Sequence, residues 1–154
     1  MTPAPAPLPC PPGHLAPGAA RPAVLRKRQM LYAILCYHDE QITSNWSAEH
    51  DAAVIARLKR VHGKWSDQFG PIARLMPSSS ATVLRKGDGA VLDGPYAETK
   101  EQLLGIYIVD IADLAQGLEI ARDLTRANPG GAYELRPIMS YYPDGAAADD
   151  DTHT

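Results

Sequence analysis

Cysteine is almost absent from this chain of 154 residues. The two present, Cys10 and Cys36, supply neither a disulfide framework nor a cysteine-rich zinc site, and such usage suits a reducing cytoplasm. No run is long and apolar enough to cross a bilayer, so a membrane protein is not expected. With 45% hydrophobic residues and a formal charge of -3, the composition is that of one globular domain with ends. Metal-binding spacings such as His-x-His or His-Glu-x-x-His are missing, and no metal is expected. Gly87-Asp88-Gly89 lacks both the lysine context and the following helix of a phosphate-cradling loop, so no nucleotide cofactor is expected either.

The first 29 residues have no acidic residue and carry 8 of the 14 prolines, with basic residues at Arg21, Arg26, Lys27 and Arg28. This segment cannot bury enough apolar surface to offset its ordering entropy, and it reads as a disordered Pro/Ala-rich extension. It lacks the apolar core of a secretory signal. Met30 stands directly before the first strand-like run and reads as the functional start. Four positive charges give only a small counterion term, so nucleic acid is not an expected partner. At the other end, residues 144–154 hold Asp144, Asp149, Asp150 and Asp151 without apolar periodicity and read as a disordered acidic tail. The folded part is expected over 30–143.

Within it, Leu31 to Tyr37 is short, apolar and aromatic, which predicts a buried strand. Ser47 is placed to cap a helix whose apolar face is Val54, Leu58, Val61, Trp65 and Phe69, and Gly70-Pro71 is read as its stop. Ala81 to Lys86 predicts a second strand, turning at Gly87-Asp88-Gly89 into Val91-Leu92. Ile106 to Val109 predicts a third strand. Leu114, Leu118, Ala121 and Leu124 mark a second helix that Asn128-Pro129-Gly130-Gly131 ends, and Tyr133 to Ile138 closes the set. The order is α+β, a ferredoxin-like βαββαβ with a β-hairpin and short-helix insertion before the third strand. Its helix-free sheet face would expose too much apolar area in a monomer, which predicts a homodimer.

Asp93-Gly94-Pro95-Tyr96-Ala97-Glu98-Thr99-Lys100-Glu101-Gln102 is the most specific stretch. Asp93-Gly94 is a turn dipeptide, Pro95 fixes φ, and Thr99 with Gln102 has capping-box spacing, which predicts a helical turn from Thr99. With Gly105, Tyr107 and the closing Tyr133-Glu134-Leu135-Arg136-Pro137, this stretch resembles the DGPF branch of the YCII-related proteins, Tyr96 standing where that branch has Phe. The resemblance spans 30–138 and implies a dimeric α+β barrel of ferredoxin-like protomers. It implies no settled reaction. In the wider family a His and an Asp in the barrel cleft are suggested as an acid/base pair, a few relatives act on chlorinated aromatics, and members are often encoded beside extracytoplasmic-function sigma factors.

The site candidates follow from these elements. His38 stands at a strand end, where clefts open, and is the candidate base, with Asp93 as its tentative catalytic companion. Asp39, adjacent on an extended chain, points to the opposite face unless the strand ends at Tyr37. Tyr107 as hydroxyl donor and Arg136 as fixed cation are expected to face the cavity, away from Ile106, Ile108 and Leu135. If the loop is a wall of the site, Tyr96 and Lys100 join them as ligand-binding residues. His62 reads as a packing histidine, His50 as solvated and Cys36 as inert packing. Two functions fit: binding of a small polar or aromatic molecule with acid/base chemistry, or a non-enzymatic accessory or regulatory role.

Overall fold

Nine residues from Met30 to His38, alternating in burial, open the structure as β1. The computed structural model describes residues 30–145, so the extension 1–29 and the tail beyond Gly145 lie outside the described residues. After β1 come α1 (Glu40–Thr43), α2 (Ala48–Lys64), β2 (Phe69–Arg74), a 3-10 turn (Ser78–Ser80), β3 (Thr82–Leu84), β4 (Val91–Asp93), β5 (Gln102–Ile111), α3 (Leu114–Ala127) and β6 (Ala132–Pro137). The main sheet is antiparallel in the order β2-β5-β1-β6, while β3 and β4 form a separate two-stranded sheet. The larger sheet with α2 and α3 is the ferredoxin-like arrangement expected from the chain order.

Residues paired directly across antiparallel strands share a face. Ile34 pairs with Tyr107 and Leu135, and Tyr32 with Val109, so these side chains lie together on the helix-covered face. There they join Ile111, Ile120 and Leu124 in the core, with Cys36, Leu58, Val61, Trp65, Phe69 and Tyr133 packed at its margin. Ile34, Val109, Ile111, Ile120 and Leu124 are fully buried, each worth about 1.5–3 kcal/mol in transfer free energy. The other face carries Leu31, Ala33, Leu35, Ile106 and Ile108, all partly exposed.

Each helix begins on a side-chain cap. Ser47 accepts from the His50 amide at 3.1 Å, and Asp113 accepts from the Gln116 amide at 2.9 Å. The buried face of α3 is Gly117, Ile120, Ala121, Leu124 and Ala127, whereas Leu114 and Leu118 are exposed, a rotation from the predicted stripe. Gly117 suits that rotation: a Cβ there would lie 2.8 Å from Ile111 Cδ1 and 3.0 Å from Leu135 Cδ2, so a larger residue would require these side-chain ends to shift.

Two further expectations are corrected. The second strand of the main sheet is Phe69–Arg74 and not Ala81–Lys86. Gly70-Pro71, read as a helix stop, lies where the register slips between Phe69 and Ile72 on an edge strand, a place that tolerates a proline without a ladder donor. Accordingly α2 ends at Lys64, capped at Trp65, and Phe69 reaches the core from β2. Nor does a helix begin at Thr99: its hydroxyl donates to the Glu101 carbonyl and the Gln102 side-chain Nε2 donates back to the Thr99 carbonyl, so Thr99 is turned away from the acceptor role of a cap and Gln102 already starts β5. The predicted hairpin is present, turned by Gly89 at φ 70° with Asp88 Oδ1 accepting from the Ala90 amide at 3.0 Å.

Candidate functional site

β1, an inner strand, ends on His38, which is only 5% exposed although it closes the strand. What covers it is glycine. Gly130 lies against the imidazole so closely that a Cβ there would stand 2.6 Å from Nε2, and Gly131 crosses the strand where a Cβ would meet the Tyr37 carbonyl oxygen at 1.9 Å. Both glycines have positive φ, 102° and 70°, a conformation that side chains rarely adopt. Trp46 meets the same imidazole in a T-shaped contact at 6.0 Å between centroids, and His50 meets Trp46 in another at 4.7 Å.

The amide of Asp39 donates to His38 Nδ1 at 2.8 Å. That bond needs a lone pair on Nδ1, so the neutral imidazole carries its proton on Nε2 and presents a donor toward Gly130. His38 is thus arranged to give a hydrogen bond rather than to take a proton at Nδ1.

Beyond the ring, β1 gives way to α1, and a depression of about 290 Å³ opens between Asp39, Glu40 and Gln41 on one side and Thr99, Lys100 and Gln102 on the other. The two carboxylates are already engaged. Asp39 Oδ1 accepts from the Gln41 amide at 2.9 Å as the α1 cap, and Glu40 Oε1 accepts from the Ser78 amide at 2.7 Å while its second oxygen takes the Ser78 hydroxyl. Lys100, by contrast, makes no ion pair with another described residue. The donors to Asp39 and Glu40 are uncharged, so they satisfy the carboxylates without neutralising them, and the Lys100 ammonium is the one cation among the described residues lining the depression.

Of the remaining candidates, Asp93 ends β4, paired with Thr82 and exposed, and Tyr96 is 85% exposed at the loop tip. Tyr107 and Arg136 are not brought together. Tyr107 faces the helices, in ring contact with His62 at 5.7 Å, Phe69 at 5.7 Å and Tyr133 at 6.4 Å, whereas Arg136 lies on the open face and donates to Glu134. It is Ile106 and Ile108, not Tyr107, that point away from the helices. The alternation of β5 was read one residue out of phase, because Ile and Tyr are equally apt for either face of a strand.

Burial governs ionisation in this helix-side cluster. It pushes the Tyr107 hydroxyl up to about 12, aided by the neighbouring Cys36, and raises Tyr133 further still. It also raises the Cys36 thiol and lowers His62. The Cys36 thiol therefore stays protonated at neutral pH and is a poor nucleophile. Among the described residues no group of three or more His, Cys, Asp or Glu could hold a metal ion, and no helix is long and apolar enough to cross a membrane.

The residues that sequence reasoning missed are Gly130, Gly131 and Trp46. A signal existed for the first two: one glycine suffices to end a helix, so a second in Asn128-Pro129-Gly130-Gly131 points to a close backbone approach.

The YCII-related domain family matches residues 30–141, the whole of the fold just described. An uncharacterised protein of Rhizobium meliloti (strain 1021) is 51% identical over 119 residues, covering 74% of this chain and 96% of that protein. The hairpin, the glycine-covered His38 and the sheet therefore fall within the matched span, and the chain belongs to the YCII-related domain family.

Proposed function

We propose that this protein is a homodimeric binding domain for a small polar or aromatic molecule, received in the depression between the end of β1 and the 93–102 loop. The observation that carries this reading is the depression itself, where Lys100 stands opposite engaged carboxylates, next in sequence to a histidine held as a donor. A carboxylate or phenolate would take the Lys100 ammonium, and the Thr99 and Gln102 side chains lie on the same wall. His38 does not line the depression, so acid/base chemistry by its Nε2 would require the Gly130 backbone to move aside. Dimerisation is supported by the apolar open face, where Leu31, Ala33, Leu35, Ile106 and Ile108 stay partly exposed. Two sheets closing on each other would give the dimeric α+β barrel that the DGPF resemblance implies.

A thermal-shift screen of carboxylates and phenols tests this on wild type, Lys100→Ala and His38→Ala. The expected result is a compound that stabilises wild type and has lost most of its effect on Lys100→Ala. Equal stabilisation of all three proteins, or of none, removes the reading.

One observation favours a second, non-enzymatic reading. The β3–β4 hairpin exposes Leu84, Val91, Leu92 and, just beyond, Tyr96, and such a surface suits a protein contact in an accessory or regulatory role. A sigma factor is the partner that the family resemblance would suggest. Substituting Leu84 and Val91 by Ser should leave ligand shifts intact while abolishing any co-purified partner. Loss of the ligand shifts instead would join the hairpin to the small-molecule site.

A further inference from the structure

On the outer side of the helix layer, α2 and α3 leave a second depression of about 360 Å³, lined by Arg57, Arg60, Val61, Lys64, Asp123, Arg126 and Ala127. Four cations meet one carboxylate there. Positions 57, 60 and 64 recur at helical spacing, so Arg57, Arg60 and Lys64 project from one side of α2 toward Arg126 on α3.

The internal bonding of this groove is uneven. Both Asp123 oxygens are used: Oδ1 accepts from Arg126 Nη1 at 2.6 Å, and Oδ2 accepts from Lys64 Nζ at 2.7 Å and from the Trp65 indole at 2.9 Å. The donors from Lys64 and Trp65 hold this carboxyl below the usual range, so it stays ionised. Among the described residues Arg57 spends only Nε, on the Ala127 carbonyl at 2.9 Å, which answers the negative end of α3 and pins a half-buried arginine. Its two terminal nitrogens remain for another acceptor. Arg60 pairs with no described residue. After Asp123 is satisfied, the groove keeps an excess of three positive charges.

We propose that this groove is a binding site for a phosphoryl group, independent of the Lys100 depression. A pinned guanidinium fork suits bidentate phosphate recognition, and a dianion matches the charge excess better than a single carboxylate does. Val61 and Ala127 give the groove an apolar floor, so the bearer of the phosphate has an apolar portion beside it. The bearer is either a soluble phosphate ester or a lipid headgroup; the phosphoryl chemistry is the same.

The test is calorimetric titration of the full chain at constant ionic strength with pyrophosphate, with flotation on phosphatidylcholine vesicles containing phosphatidate as the lipid arm. The proteins are wild type, the pair Arg60→Gln with Arg126→Gln, and Lys59→Gln, which lies outside the groove. Saturable binding of pyrophosphate or capture by the vesicles is expected for wild type and Lys59→Gln, weakened about tenfold or more in the paired variant. Unfolding and Trp65 emission are compared first, so that a loss of structure is separated from a loss of binding. Failure of both probes, equal affinity in all proteins, or equally tight binding of a poly-glutamate peptide overturns the proposal.

Discussion

Both faces of the main sheet carry aliphatic residues, with opposite fates. On the helix side Ile34, Val109 and Ile111 are fully buried under Ile120 and Leu124; on the other, Leu35, Ile106 and Ile108 remain partly open. The difference lies partly in what each face is given to touch and partly in composition, since the open face also carries Asp110, Glu134 and Arg136. A face completed within the chain stabilises the fold, and a face left incomplete is the surface the proposed dimer would cover.

Substitutions can separate the two roles. Leu124→Ala should cost the protomer about 2–5 kcal/mol, seen as a lower urea midpoint at unchanged slope. Ile108→Glu should leave protomer stability nearly unchanged but weaken association by about a hundredfold or more in sedimentation. Should wild type sediment as a monomer at micromolar concentration, the open face would need another occupant. Gly130→Ala forces a β-carbon against the His38 ring at a φ of 102° and should cost about 1–3 kcal/mol, with the His38 imidazole proton resonances displaced. Removing the α2 cap in Ser47→Ala should cost about 1 kcal/mol without moving the dimer equilibrium.

The smallest effect concerns pH and belongs to the helix side alone. His62 is lowered by burial, with Nε2 buried and without a hydrogen-bond partner among the described residues, against the Phe69 and Tyr107 rings. Its unfolded form binds a proton more readily than its folded form. Its contribution is therefore whole above the unfolded value near 6.5 and is lost as pH falls through the lower folded value. His62→Leu should flatten the stability profile on the acid side of pH 6.5, measured by urea unfolding from pH 5 to 8. An unchanged slope would assign it to other groups.

These contrasts explain what could be read in advance. The caps at Ser47 and the hairpin turn at Gly87-Asp88-Gly89 were legible because their chemistry is local: a side-chain oxygen within reach of an amide, a glycine at positive φ. The strand Phe69–Arg74 was hidden because its evidence is not local. Its Gly70-Pro71 is compatible with a strand only at an edge, and being an edge is a property of the sheet. The phase of β5 failed for a like reason, since Ile106, Tyr107, Ile108 and Val109 contain no polar residue to mark the side that meets solvent. For the site, the histidine was visible and its setting was not. Tyr107 and Arg136 are grouped with His38 by plausible alternation and Asp93 through its loop, yet the residue that touches the ring is Gly130, which has no side chain to attract notice.

That contact ties two parts of the molecule mechanically. The backbone that follows α3 rests on the His38 ring without an intervening side chain, and Arg57 holds the last carbonyl of α3 three residues earlier. A displacement of α3 along its axis cannot be taken up by a rotamer change at position 130. The approach of the chain after α3 to the end of β1 is therefore set by backbone and ring alone.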